Sequence, residues 1–243
     1  MTGLGGPARL LAAWEQAAAV PTPARGAVLI VHGRRQALDA VLDLPLGEAS
    51  RLAARLYAEE FGDEVQGLLP CAGCGEVLEV GLSVSALYDL EEPSADGAEG
   101  QLVTGDGELT VRPPTTRDLL AVGGMRDPGP ALLARCVSDA SGAPVDPAAL
   151  DAATVERLDA VAEELAGGAA AVVRTSCPAC SAEARAPVDA AGLLWDRVAV
   201  AAPGLLAEVA ALATAFGWRE ADVLALSPLR RRAYLGLAYG GDR

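Results

Sequence analysis

Apolar and polar positions alternate most clearly in two stretches of the chain. In the first, Leu78, Val80, Leu82 and Val84 stand against Glu79, Gly81, Ser83 and Ser85. In the second, Ala182, Ala184, Ala186 and Val188 stand against Glu183, Arg185, Pro187 and Asp189. A period of two marks a strand with one buried face, and Pro187 sets the second at a sheet edge or strand end. Ala169–Val173 reads as a further short strand. Leu102–Thr104 and Glu108–Val111 flank Gly105–Asp106–Gly107 in the manner of a hairpin.

Elsewhere the period is helical. Ala8–Ala18 reads as a short helix, followed by the apolar run Ala27–Val31. Leu52, Leu56 and Tyr57 share one face of a helix over Glu48–Glu60, with Gly62 placed for a left-handed cap. Thr116 is expected to cap a helix starting near Arg117, with Asp118 near its positive end. Helices are expected near Pro130–Ser138 and over Pro147–Ala166, the latter stopped by Gly167–Gly168. Pro203 suits a first helical turn, and Leu205, Leu206, Val209, Leu212, Ala213 and Phe216 then form an apolar face closed by Gly217. A short helix over Glu220–Leu226 follows. Ser227–Pro228 pairs an N-cap with a first-turn proline for a last helix through Leu237. Glu91–Gly100, acidic and rich in small residues, reads as a mobile loop.

Both alternating stretches follow a Cys-x-x-Cys pair, Cys71 with Cys74 and Cys177 with Cys180. Such a pair turns two thiolates toward one side of an ion, and two pairs complete a tetrahedron. Gly75 follows the first pair, where the chain must turn sharply; Ser181 follows the second. The spacing therefore predicts one structural Zn2+ held by Cys71, Cys74, Cys177 and Cys180. Two disulfides or redox-active pairs are the alternatives, although a thioredoxin-like site has a helix after the pair where a strand follows here. Four thiolates leave no open position for catalysis. The long gap between the pairs reads as an insertion, and loop closure grows only logarithmically more costly with length. Cys136, amid Leu132, Leu133 and Val137, reads as a small buried hydrophobe.

The expected fold is α+β: a mainly helical single domain built around a zinc-ribbon-like β element, with a long insertion between its two knuckles. Its segments are a partly ordered N-terminal stretch over 1–33, a helical segment over 34–64, a split ribbon over 65–90 and 169–190, an insertion over 91–168, and a helical segment over 191–243.

Composition narrows the chemistry. The chain has 243 residues, 51% of them hydrophobic and only 4% aromatic, which suggests helices packed closely through alanine. Its net charge of −14 argues against a phosphate-neutralising surface. All 19 basic residues are arginine, so neither a Schiff base nor a P-loop lysine is available. The single histidine, His32, has no Gly-x-Ser-x-Gly elbow to serve. Gly3–Leu4–Gly5–Gly6 follows no strand and is no dinucleotide fingerprint. No signal peptide or uninterrupted membrane span is expected, since Glu208 and Pro203–Gly204 fall within the longest apolar candidate. Arg230–Arg231–Arg232, after a short helix, resembles a DNA-reading helix only superficially; the acidic balance favours a solvated face or a protein interface.

The C-terminal run is more specific. Leu194–Trp195–Asp196 leads to Leu206-x-Glu208–Val209-x-x-Leu212–Ala213. Phe216–Gly217–Trp218-x-Glu220-x-x-Val223–Leu224-x-Leu226–Ser227–Pro228-x-Arg230–Arg231-x-x-Tyr234–Leu235 follows. This run resembles a baseplate family of contractile-tail phages, also found in phage-like contractile injection systems of bacteria. Leu44–Pro45–Leu46–Gly47, Phe61–Gly62, Pro114–Thr115-x-Arg117–Asp118–Leu119, Leu132–Leu133-x-Arg135–Cys136–Val137 and both cysteine pairs extend the likeness across roughly residues 36–238. Ala72 and Ser181 depart from the family's Cys-Pro-x-Cys-Gly knuckle, and Arg219 stands where a small capping residue is common.

The resemblance implies a non-enzymatic baseplate component or hub assembly factor. Its partners would be other baseplate or hub proteins, with no nucleic acid, membrane insertion or small-molecule substrate. Its location would be the bacterial cytoplasm or the assembled contractile particle. Trp218, Arg230, Arg231 and Tyr234 are the candidate partner-binding residues; packing of the helical hairpin is the competing role for Trp218 and Tyr234. A zinc-ribbon adaptor or regulator on nucleic acid, or a thiol oxidoreductase, are the alternative functions.

Overall fold

The chain forms a mixed α+β structure, and the computed structural model describes residues 3–88, 99–104, 107–166, 169 and 171–240. Four helices come first: α1 (Pro7–Ala18), α2 (Thr22–Arg34), the short α3 (Leu38–Leu42) and α4 (Leu46–Phe61). Thus most of residues 1–33, expected to be only partly ordered, forms two helices. Leu4, Ala13, Ala17, Leu29 and Ile30 lie in the main core beside Val41, Ala53, Leu56 and Tyr57. Small residues allow the close packing that the alanine content suggested. A Cβ added at Gly26 would come within 2.5 Å of Ala191 Cβ, and one at Gly33 within 2.6 Å of Leu56.

Two antiparallel hairpins grow from this body. The first joins β1 (Glu64–Pro70) to β2 (Val77–Ser83), with Pro70 opposite Val77 at the tip. The second joins β6 (Ala171–Ser176) to β7 (Glu183–Val188), with Ser176 opposite Glu183. The strand β1 carries weak alternation and was not anticipated. Leu69, Leu78, Cys177 and Ala184 form a small apolar cluster between the hairpins. After β2 the chain turns into α5 (Val84–Leu87), so Val84 starts a helix instead of continuing the strand; Ser83 Oγ caps it by accepting from the Ala86 N–H.

Between the hairpins lies a lobe with its own core. It holds β3 (Gly100–Thr104), β4 (Gly107–Val111), α6 (Thr116–Val122), α7 (Pro128–Cys136), β5 (Val137–Asp139) and α8 (Ala152–Leu165). Strands β3, β4 and β5 make one antiparallel sheet, and Leu102, Leu109, Val111, Leu133, Val137 and Leu158 pack together. Asp151, after a 3-10 turn at Pro147–Ala149, caps α8, so this helix begins later than its proline suggested. Residues 105–106, 91–98 and 167–168, expected as turn, loop and helix stop, lie outside or largely outside the described residues.

Helix α9 (Ala190–Phe216) is a single helix of 27 residues that runs through Pro203, where a helix start was expected. Proline at a first turn and proline inside a helix look alike in sequence. Here Leu194, Val198, Ala202, Leu205, Val209 and Leu212 fall at spacings of three and four and are all buried, so tertiary packing outweighs the lost N–H. Pro203 itself is exposed. By length and composition alone α9 is long and apolar enough to cross a membrane; in this fold it packs against α1, α2 and α4. Gly217 ends it in the left-handed region, as expected, with φ 69° and ψ 18°. Gly62 also has positive φ, but its ψ of 165° makes the end of α4 extended instead of a left-handed cap. Helices α10 (Glu220–Leu224) and α11 (Pro228–Tyr239) fold back on α9, and Ser227 Oγ caps α11.

Candidate metal centre

The tips of the two hairpins meet. The sulfurs of Cys71, Cys74, Cys177 and Cys180 all lie within 4.8 Å of one another. Cys71 Sγ is 3.6 Å from Cys180 Sγ, and Cys74 Sγ is 3.7 Å from Cys177 Sγ. A tetrahedral ion with metal–sulfur bonds of ~2.3 Å has sulfur–sulfur edges of about 3.8 Å. These closest sulfur pairs match that edge and are far beyond a disulfide bond length. The four thiols therefore fit a four-coordinate metal ion. All five cysteines, Cys136 included, are free.

Each knuckle is built the same way. The Cys71 N–H donates to the Glu76 carbonyl at 2.8 Å, and the Cys177 N–H to the Ala182 carbonyl at 2.9 Å. The Gly75 N–H donates to the Cys71 carbonyl, and the Ser181 N–H to the Cys177 carbonyl, both at 2.8 Å. In each the leading cysteine is buried and the trailing one exposed. Residue 73 is crowded: a Cβ at Gly73 would sit 3.1 Å from Ala182 Cβ and 3.4 Å from Cys180 Sγ. That constraint acts between two hairpins remote in sequence, so no local pattern could have announced it.

Backbone dipoles prepare the sulfurs. N–H groups of Gly73 and Cys74 aimed at Cys71 bring its pKa down to about 7. At Cys74 the Glu76 N–H pulls downward too, but hydrogen bonding with Cys180 and Cys177 and burial carry the thiol up to about 12. Cys180 is raised as well, against the pull of the Ala182 N–H. One thiolate forms readily and its neighbours resist a second charge, which a bound cation would offset.

A polar cluster ties the end of β4, α6 and α7 together within the intervening lobe, and Arg117 beside it joins the lobe to the helical body. Asp118, 2% exposed, accepts from Arg112 Nη1 at 2.7 Å and from Arg135 Nε at 2.8 Å. Its side chain also completes a capping box, accepting from the Thr115 N–H while Thr115 Oγ1 accepts from the Asp118 N–H. The cap of α6 is thus Thr115, one residue earlier than expected. Arg117, next along, pairs with Asp39 and Asp43 near α3. Arg112 was missed by sequence reasoning, although Asp118 and Arg135 sit in two of the family-like motifs. Cys136 is buried in α7, and burial pushes its thiol up to about 11.

The other singled-out residues lie elsewhere. His32 shares a hydrogen bond with Gln16 Oε1 at 3.1 Å; burial, then the charge of Arg9, lowers its pKa. Trp218 is half-buried, stacked on Phe216 at 5.0 Å and edge-on to Tyr234 at 4.7 Å. Arg231 is buried and paired with Glu208 of α9. Arg230 is exposed. Among the four candidate docking residues, three therefore take part in packing α10 and α11 onto α9.

No protein-family model matches the chain, and neither a curated protein nor a solved structure does.

Proposed function

We propose that this chain is a non-enzymatic structural or assembly protein whose two hairpins close on one zinc ion as a split zinc ribbon. We further propose that it serves the baseplate or hub of a contractile phage tail or injection system, among other baseplate proteins in the bacterial cytoplasm or the finished particle. The observation that carries the metal reading is the clustering within 4.8 Å of four sulfurs drawn from segments about a hundred residues apart, two of the pairs at the edge length of a tetrahedral site. A full set of four thiolates leaves no position for water, so the site favours stapling over catalysis. When bound, the ion holds the thiols deprotonated and links the hairpins across the intervening lobe. A four-sulfur site suits zinc or iron, and zinc is the ion this reading takes, as the common occupant of paired Cys-x-x-Cys knuckles. The baseplate reading rests on the motif resemblance, and the acidic surface accords with protein partners over nucleic acid.

Native mass spectrometry of the chain, purified with the proteins encoded beside it, tests both parts. The expected result is one zinc per chain within a complex containing baseplate subunits. Iron, or an intact chain without metal, would overturn the zinc assignment. A chain that never leaves the monomer state beside sheath, tube and spike proteins would overturn the baseplate assignment.

A further inference from the structure

Helix α11 has an inner and an outer side. Arg231, Tyr234 and Leu235 turn inward, Arg231 to Glu208 and the others to the cluster around Val209, Leu212 and Val223. On the outer side Leu229, Leu237 and Tyr239 are 80%, 66% and 78% exposed. Leu229, Ala233 and Leu237 follow one another at i, i+4 and i+8, so they form one stripe, with Gly236 beside it. Large residues at the ends and small ones in the middle leave room for a crossing helix backbone. Arg230 and Arg232 flank the stripe on opposite sides, both exposed, and neither has an ion pair among the described residues.

The charge on this face is out of keeping with the rest of the chain. The protein carries 33 acidic residues against 19 arginines, yet the outer face of α11 carries Arg230 and Arg232 and no carboxylate, the third arginine, Arg231, being turned inward to Glu208. These arginines also crowd the N-terminal half of the helix, whose dipole is positive and prefers acidic neighbours. The chain keeps a locally unfavourable arrangement at an exposed apolar stripe, and carboxylates supplied from outside would relieve it.

We propose that the outer face of α11 docks an amphipathic helix of another polypeptide, with leucine-like residues along its seam and Asp or Glu on both flanks. This deepens the assembly role proposed above and rests on it only for the partner being a protein. A second copy of the chain suits the face less well, because its own α11 offers arginines and no carboxylate. An anionic membrane suits it less well too, given the net charge of −14.

The test uses the full-length, metal-loaded protein and two synthetic helical peptides of about 18 residues, five turns each. Both carry a leucine stripe at i, i+3 and i+4; one has glutamate on its flanks and the other lysine. Fluorescence anisotropy should show the glutamate peptide binding ~10-fold or more tightly than the lysine peptide, weakening as salt rises. The double variant Arg230→Glu/Arg232→Glu should lose that preference, while Arg126→Glu, at an exposed site between α6 and α7, should not. Equal binding of the two peptides, or none, overturns the proposal. So does light scattering that shows a dimer broken by the double variant, or binding to phosphatidylglycerol vesicles in place of the peptide. Peptide binding alongside failure to find baseplate partners would sink the baseplate reading and leave this surface standing.

Discussion

Ser181 occupies in the second knuckle the place that Gly75 occupies in the first, and both take positive φ, 60° and 78° respectively. Both N–H groups donate to the carbonyl of the leading cysteine in their knuckle at 2.8 Å, so the metal loop requires the turn whichever residue stands there. A left-handed residue with a Cβ costs about 1–2 kcal/mol, part of which glycine returns as unfolded-chain entropy. Ser181→Gly is therefore expected to stabilise the metal-loaded protein by about 0.5–1 kcal/mol. Gly75→Ala should destabilise it by a comparable amount. Thermal melts of the two variants, with slower zinc loss to a chelator for the first, check this; a destabilised Ser181→Gly would contradict it.

Metal removal should loosen one part of the molecule selectively. The hairpins share only a small apolar cluster around Leu69, Leu78, Cys177 and Ala184, whereas the helical core of Leu29, Leu56, Leu194 and Val198 contains no cysteine. Chelation is expected to raise amide exchange throughout the two hairpins while leaving most helical circular dichroism in place. On the zinc reading proposed above, Cys74→Ser should abolish stoichiometric zinc binding. Cys136→Ser should keep one zinc and lose ~1–2 kcal/mol, the cost of a buried hydroxyl without a partner. Because metal binding requires deprotonated thiols, zinc should be released as pH falls.

The meeting of the four cysteines was legible because two equal Cys-x-x-Cys pairs are a strong chemical statement, and the alternation behind each pair gave β2 and β7. The partner of β7 was legible too, as the short strand read over Ala169–Val173, whereas the partner of β2 was not. β1 contains Gly67 and ends at Pro70, and only pairing with β2 gives it a strand's burial. Helix α2 escaped notice because its apolar residues, Ala24 through Ile30, are nearly continuous and buried all round; continuous apolar runs carry no period. Pro203 misled for the opposite reason, since a local rule was overridden by a buried stripe long enough to hold α9 together. Arg231 shows the same limit at a single residue. Three consecutive arginines look alike in sequence, and only the approach of Glu208 from α9 distinguishes the middle one.

Asp118 should make the stability of the lobe pH-dependent. Burial pushes its pKa up, but the Arg112 guanidinium and hydrogen bonds from Thr115 prevail and hold it at about 2. A carboxyl depressed on folding stabilises the protein above its unfolded value of ~3.9, and that contribution vanishes as pH falls toward the folded value. Stability should therefore drop between about pH 4 and pH 2 by at most ~2 kcal/mol from this group. Asp118→Asn should remove that acid dependence and cost about 3 kcal/mol at neutral pH, since Arg112 and Arg135 lose their shared counterion. Urea unfolding at pH 7 and at pH 3 measures both; an unchanged difference between the two pH values in the variant would refute the assignment.

Packing and docking fall to different arginines of α11. Arg231 is 8% exposed, donates to Glu208 and reaches the Leu226 carbonyl at 3.4 Å. Removing one member of a buried pair leaves the other charge poorly solvated, so Arg231→Ala should destabilise by about 2–3 kcal/mol. Glu208, one-third exposed at its side chain, retains access to water, so Glu208→Gln should cost less. The double variant Arg231→Met/Glu208→Leu should recover part of the loss, because two apolar groups leave neither charge stranded. Trp218→Ala belongs to the same unit: it removes a stacked and an edge contact at once and should cost ~3 kcal/mol. Arg230→Glu, by contrast, lies on the outer side and should change the melting temperature by no more than about 1–2 °C. If Arg231→Ala proved as innocuous to folding as Arg230→Glu, the inward role given to Arg231 would be wrong, and its side chain would return to the set available for a partner.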